Sequence, residues 1–98
     1  MARNLREIVV ETYLRNRVRE VGGLCYKWVC PGHSGVPDRL VFYNGMVYVV
    51  ETKAKYGKLS PIQVYVRHKL EKQKANYYVC HTKEQVDKFI EEITCNDH

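Results

Sequence analysis

Apolar positions at Leu5, Ile8, Val9, Val10, Leu14, Val18 and Val21 recur at helical spacing, and Gly22-Gly23 ends the run, which predicts a first helix over residues 3–21. Leu24 to Val29 is β-branched and aromatic enough for a strand, while Pro31 to Pro37 holds two glycines and two prolines and reads as a loop. Asp38 to Tyr43 and Met46 to Ala54 then flank Asn44-Gly45, the strongest short-range hairpin signal, because both central positions of a two-residue turn need positive φ. The second hairpin strand is apolar at successive positions until Glu51, as expected of a central strand covered on both faces. After a loop over Lys55 to Leu59, Ser60-Pro61-Ile62-Gln63 opens a helix to about Lys74, with serine as N-cap, proline first and glutamine at the capping-box position. Asn76 to His81 is a strand, and Thr82 caps a last helix through Ile93, with Gln85 at its capping-box position. The order is αβββαβα. A return strand that joins in parallel beside the second hairpin strand, through a right-handed crossover, completes an α/β mixed sheet flanked by helices. One domain over residues 1–93 and a tail over 94–98 are expected.

The hairpin carries its register with it. In a two-residue turn at Asn44-Gly45, opposed residues have numbers that sum to 89, so Asp38 faces Glu51. Opposed residues share a face with Cβ atoms roughly 4.5 to 5.5 Å apart, and two carboxylates so placed repel unless positive charge lies between them. A divalent cation suits that place. Lys53, two residues beyond Glu51, falls on the same face, whereas Arg39 falls on the opposite one and is expected to be structural or to make contacts from another side. A lone carboxylate in a doubly covered strand costs several kcal/mol, which makes a merely decorative Glu51 improbable.

Composition narrows the class further. Ninety-eight residues bury a modest core, which self-association would supplement. The longest purely apolar stretch, Met46 to Val50, is far short of a membrane span, and the N-terminus lacks the apolar segment of a signal peptide, so a cytoplasmic protein is expected. Net charge is +5, concentrated over residues 53–74, where Lys53, Lys55, Lys58, Arg67, Lys69, Lys72 and Lys74 meet one acid, Glu71. Such an excess beside a carboxylate site fits a polyanionic substrate, although a basic stretch alone also describes a solvated helix face. Cys25, Cys30, Cys80 and Cys95 show no paired short spacing and read as reduced thiols. Cys30 with His33, or Cys80 with His81, matches no common zinc motif.

Pro37-Asp38, a hairpin's length, Glu51-Thr52-Lys53 and then a Ser-Pro-x-Gln helix start resemble the PD-(D/E)xK nuclease superfamily, with its restriction-endonuclease-like fold. More narrowly, Gly32-His33-Ser34-Gly35-Val36-Pro37-Asp38-Arg39, Glu51-Thr52-Lys53, Gly57-Lys58-Leu59-Ser60-Pro61-Ile62-Gln63 and a helical Glu11 resemble the VRR-NUC (virus-type replication-repair nuclease) domain of the stand-alone phage type. The likeness runs from about Glu7 to Phe89. The resemblance implies that Asp38, Glu51 and the backbone carbonyl of Thr52 bind Mg²⁺ or Mn²⁺ through oxygen, and that Lys53 orients or deprotonates water or neutralises charge on the phosphate. It implies phosphodiester hydrolysis leaving 5′-phosphate and 3′-hydroxyl ends.

Glu11 matches the helix glutamate of related archaeal Holliday-junction resolvases by its distance to Gly22; Glu7, one turn earlier on the same face, is the alternative, and pairing with Arg15 is the plain reading. Gln63 either only completes its capping box or also faces the metal site. His33 and Ser34, with Lys55, Lys58, Arg67 and Lys69, are candidates to contact DNA, and Tyr56 and Trp28 either stack on a base or pack, the core being favoured for Trp28. The expectation is a homodimeric, metal-dependent endonuclease cutting branched DNA, in the manner of a Holliday-junction resolvase, during phage replication, recombination or repair in the host cytoplasm. A non-catalytic nucleic-acid-binding module on the same fold is the rival.

Overall fold

A computed structural model describes residues 4–95 as three helices and one four-stranded sheet: α1 (Leu5–Glu20), β1 (Leu24–Lys27), β2 (Arg39–Tyr43), β3 (Met46–Thr52), α2 (Pro61–Lys72), β4 (Asn76–Cys80) and α3 (Lys83–Thr94). This is the expected order. The sheet runs β1-β2-β3-β4, antiparallel at β1/β2 and β2/β3 and parallel at β3/β4. Asn44 and Gly45 take φ of 49° and 82°, and β2 and β3 pair with Arg39 opposite Val50 and Tyr43 opposite Met46, the sum-of-89 register that the turn dictates.

α1 and α3 cover one face of the sheet. Val10, Leu14 and Val18 of α1 and Val86, Phe89, Ile90 and Ile93 of α3 close on Val41, Val50 and Cys80. Tyr48, Tyr78 and Phe89 meet edge-on, with Tyr78 and Phe89 centroids 4.7 Å apart. The thiols of Cys25 and Cys80 are pushed up to about 11 and about 12 by burial, so both behave as small apolar groups. β3 is central, but only its second half is buried on both faces: Met46 and Val47 remain exposed beside the turn. β1 ends at Lys27, two residues short of expectation, and Val29 is exposed on the way into the loop.

Helix caps follow the local chemistry, with one exception. Ser60 Oγ accepts from Gln63 N and Gln63 Oε1 accepts from Ser60 N, a complete capping box. At α3 only half a box forms. Thr82 accepts from Gln85 N, but Gln85 Oε1 accepts at 2.7 Å from His81 N, because the chain leaving β4 offers that donor first. α2 buries no residue of its own, and it lies over β4 on the face away from α1 and α3. No described helix is long and apolar enough to cross a membrane. Residues 1–3 and 96–98, which include the start of the first expected helix and most of the expected tail, lie outside the described residues.

Candidate active site

The face of the sheet turned away from α1 and α3 is organised in cross-strand rows. Leu24, Phe42 and Val47 form one, and Tyr26, Leu40 and Val49 the next, continued by Tyr77 of β4. One step further, Trp28 N–H donates to the Asp38 carbonyl at 2.8 Å, which extends the β1/β2 pairing by one residue and sets Trp28, Asp38 and Glu51 in a third row. Two apolar rows therefore lead to an acidic one.

At the end of β3, carboxylate oxygens of Glu7, Asp38 and Glu51 lie within 4.8 Å of one another. Asp38 Oδ2 accepts from Thr52 N at 3.2 Å and from Thr52 Oγ1 at 2.9 Å, so the donors of Thr52 orient this carboxylate. Glu51 is 1% exposed. Its Oε2 accepts from Gln63 Nε2 at 3.3 Å and lies 3.6 Å from Lys53 Nζ, while its Oε1 is buried with no hydrogen-bond partner. Burial, then the charge of Asp38, with a smaller push from Glu7, raise the Glu51 carboxyl to about 8 against the pull of Lys53. Three acids gathered in a basic protein, one holding an orphaned buried oxygen, make a donor set suited to a hard divalent cation.

The helix glutamate of this cluster is Glu7. Glu11 instead accepts from Arg39 Nε at 2.9 Å, both side chains nearly buried, because Arg39 faces α1 from the side of β2 opposite Asp38. Glu11, expected at the site, thus lies one helical turn from the cluster and pairs with Arg39. Gln63 closes its capping box through its oxygen, while its nitrogen reaches Glu51. Trp28 is not in the core; half-buried, it lines a cleft of about 500 Å³ with His33, Ser34 and Lys69.

Among the remaining cations, Lys55 and Lys58 are exposed, Arg67 lies over the Tyr77 ring at 4.9 Å and near Glu71 at 3.4 Å, and Lys69 lies 5.3 Å from the Tyr65 centroid. No motif in the sequence marks Tyr77. Its buried hydroxyl has no partner, and burial and the charge of Glu51 push it up to about 12. Neither cysteine–histidine pair gathers three ligand groups among the described residues; His81 instead engages Gln85 and the Gly57 carbonyl.

No sequence model of a protein family matches the chain. "Putative nuclease p44" of Acyrthosiphon pisum secondary endosymbiont phage 1 is 48% identical over 63 residues, which cover 63% of this chain and 68% of the phage protein. A solved structure described as a VRR_NUC domain superposes with a TM-score of 0.82 at 36% identity, over 88% of this chain and 95% of that one.

Proposed function

The chain belongs to the VRR-NUC nuclease family, and on that premise we propose that it is a Mg²⁺- or Mn²⁺-dependent endonuclease that hydrolyses phosphodiester bonds in branched DNA. The observation that carries this reading is the convergence of Glu7, Asp38 and Glu51 beside Lys53. Their mutual repulsion and the raised Glu51 carboxyl have no structural benefit without a cation.

Glu7, Asp38 and Glu51 would hold the ion, with the Thr52 carbonyl as a further oxygen. A divalent cation so held supplies Lewis acidity and a water of lowered pKa. Thr52, through its N–H and hydroxyl, fixes the Asp38 carboxylate, and Gln63 fixes Glu51 from the start of α2. Lys53, mostly buried next to Glu51, orients the attacking water or stabilises charge developing on the phosphate. Lys55, Lys58, Arg67 and Lys69, with His33 and Ser34 in the loop, supply contacts to the polyanion around this centre.

A two-fold enzyme addresses two strands of a junction together, and the exposed apolar rows containing Leu24, Tyr26, Phe42 and Val47 are a surface that a second copy would cover. The likeness to a phage protein favours action in a host cytoplasm during replication, recombination or repair. Labelled four-way junction, flap, plasmid and linear duplex DNA incubated with Mn²⁺, Mg²⁺ or EDTA test the proposal. Cleavage should need the metal, favour the branched forms, and fall at least about a hundredfold in Asp38→Ala and Lys53→Ala. Undiminished cutting by either folded variant would defeat it.

A further inference from the structure

We propose that the cleft between the loop over residues 30–36 and α2 is a subsite for one unpaired nucleobase of the strand whose phosphate lies at the carboxylate cluster; this rests on the nuclease reading above. Continuity with the acids comes first. Trp28 occupies the same cross-strand row as Asp38, hydrogen-bonded to its backbone at 2.8 Å, and side chains so opposed are neighbours. A nucleotide whose phosphate meets the cation that Asp38 and Glu51 would hold therefore has its own base, or the next one, within reach of the indole.

The lining has the chemistry of a stacking site. Trp28 and Tyr65 bring aromatic rings to the lining and Ile62 and Val66 aliphatic groups, while His33, Ser34 and Lys69 bring polar ones. Tyr65 is 59% exposed and Ile62 46%, so α2 turns apolar side chains toward open space here, although it buries none of its residues elsewhere. A flat, apolar-faced ring with polar edges, attached to an anion, complements aromatic walls beside a lysine. The cleft is also preformed. Gly35, at φ +88°, brings the loop so close to α2 that a Cβ there would stand 2.8 Å from the Ile62 carbonyl.

A base in a continuous duplex does not reach such a wall without leaving the stack. The subsite thus selects DNA with an unpaired nucleotide beside the scissile bond, as at flaps, frayed ends and branch points.

Trp28 is the chain's one tryptophan, so its emission reports directly on the cleft. With Ca²⁺ in place of Mg²⁺ or Mn²⁺, a flap oligonucleotide should quench that emission, and a blunt duplex of the same sequence should quench it far less, with binding of both followed by anisotropy of a labelled strand. Trp28→Ala and the exposed Tyr65→Ala should each lower the preference for flap over duplex about tenfold, with Trp28→Phe retaining most of it. The proposal is overturned if the flap binds with Trp28 emission unchanged, if Tyr65→Ala keeps the full preference, or if emission follows protein concentration instead of DNA, which would assign the cleft to a second copy. Mn²⁺-dependent cleavage of the same DNAs by the wild-type protein is scored separately. Its absence defeats the nuclease reading, whereas cleavage with unresponsive Trp28 emission defeats the subsite alone.

Discussion

Glu51 concentrates the chemistry of this molecule in one side chain. Its carboxyl is buried in a central strand, faces Asp38, and is raised to about 8. In the unfolded chain the same group ionises near about 4.3, so between those values the folded state holds a proton that the unfolded state has lost. Metal-free protein should therefore lose stability as pH rises from about 4.3 to about 8, by a few kcal/mol in all. A cation reverses the preference. Because Glu51 must give up its proton to act as a ligand, the apparent Mn²⁺ affinity should rise about tenfold per pH unit from pH 6 to 8 and then level off. Calorimetric titrations at several pH values check this, and an affinity flat across that range would contradict it. The opposition of Asp38 and Glu51 was legible because Asn-Gly fixes both turn type and register. Glu7 was harder to choose, since it and Glu11 share a helical face and only the depth of α1 along the sheet distinguishes them.

Among the elements, α1 carries a salt bridge one turn from the carboxylate cluster. Glu11 and Arg39, 2.9 Å apart with side-chain exposures of 7% and 12%, fasten α1 to β2 one turn from the cluster, which holds Glu7 over the acidic row. Arg39→Ala removes the guanidinium that donates to Glu11 and should cost about 1.5–3 kcal/mol in urea unfolding, whereas joint replacement by Glu11→Leu and Arg39→Met should lie much nearer wild type. A loss below about 1 kcal/mol for Arg39→Ala would show that the pair does not anchor the helix. Glu7→Gln should weaken metal binding tenfold or more, and Glu11→Gln should not. The caps of α2 and α3 separate what local sequence decides from what it does not. Ser60 and Gln63 close their box within one turn, while Gln85 is diverted to His81 because β4 delivers that amide beside it.

Across the whole molecule, the α/β order, the mixed sheet and the parallel return strand follow from periodicity, one turn dipeptide and the crossover rule. The place of Trp28 does not. The loop between β1 and β2 is long enough to leave their register undetermined, and only the pairing of Trp28 with Asp38 reveals that an apolar strand end continues the acidic row. With the rows of Leu24, Phe42 and Val47 and of Tyr26, Leu40 and Val49 leading to it, that face sets apolar side chains beside the carboxylate cluster, and on the proposed reading a second copy covers them. Sedimentation of the purified protein should give twice the chain mass, and Phe42→Glu should return it to the monomer without unfolding it; a wild-type monomer at micromolar concentration would remove the two-fold arrangement. The most direct test of the central claim is anomalous diffraction from crystals soaked in Mn²⁺ near pH 8. A peak coordinated by Glu7, Asp38 and Glu51 is the expected result, and an empty carboxylate cluster, or manganese bound only elsewhere, would contradict it.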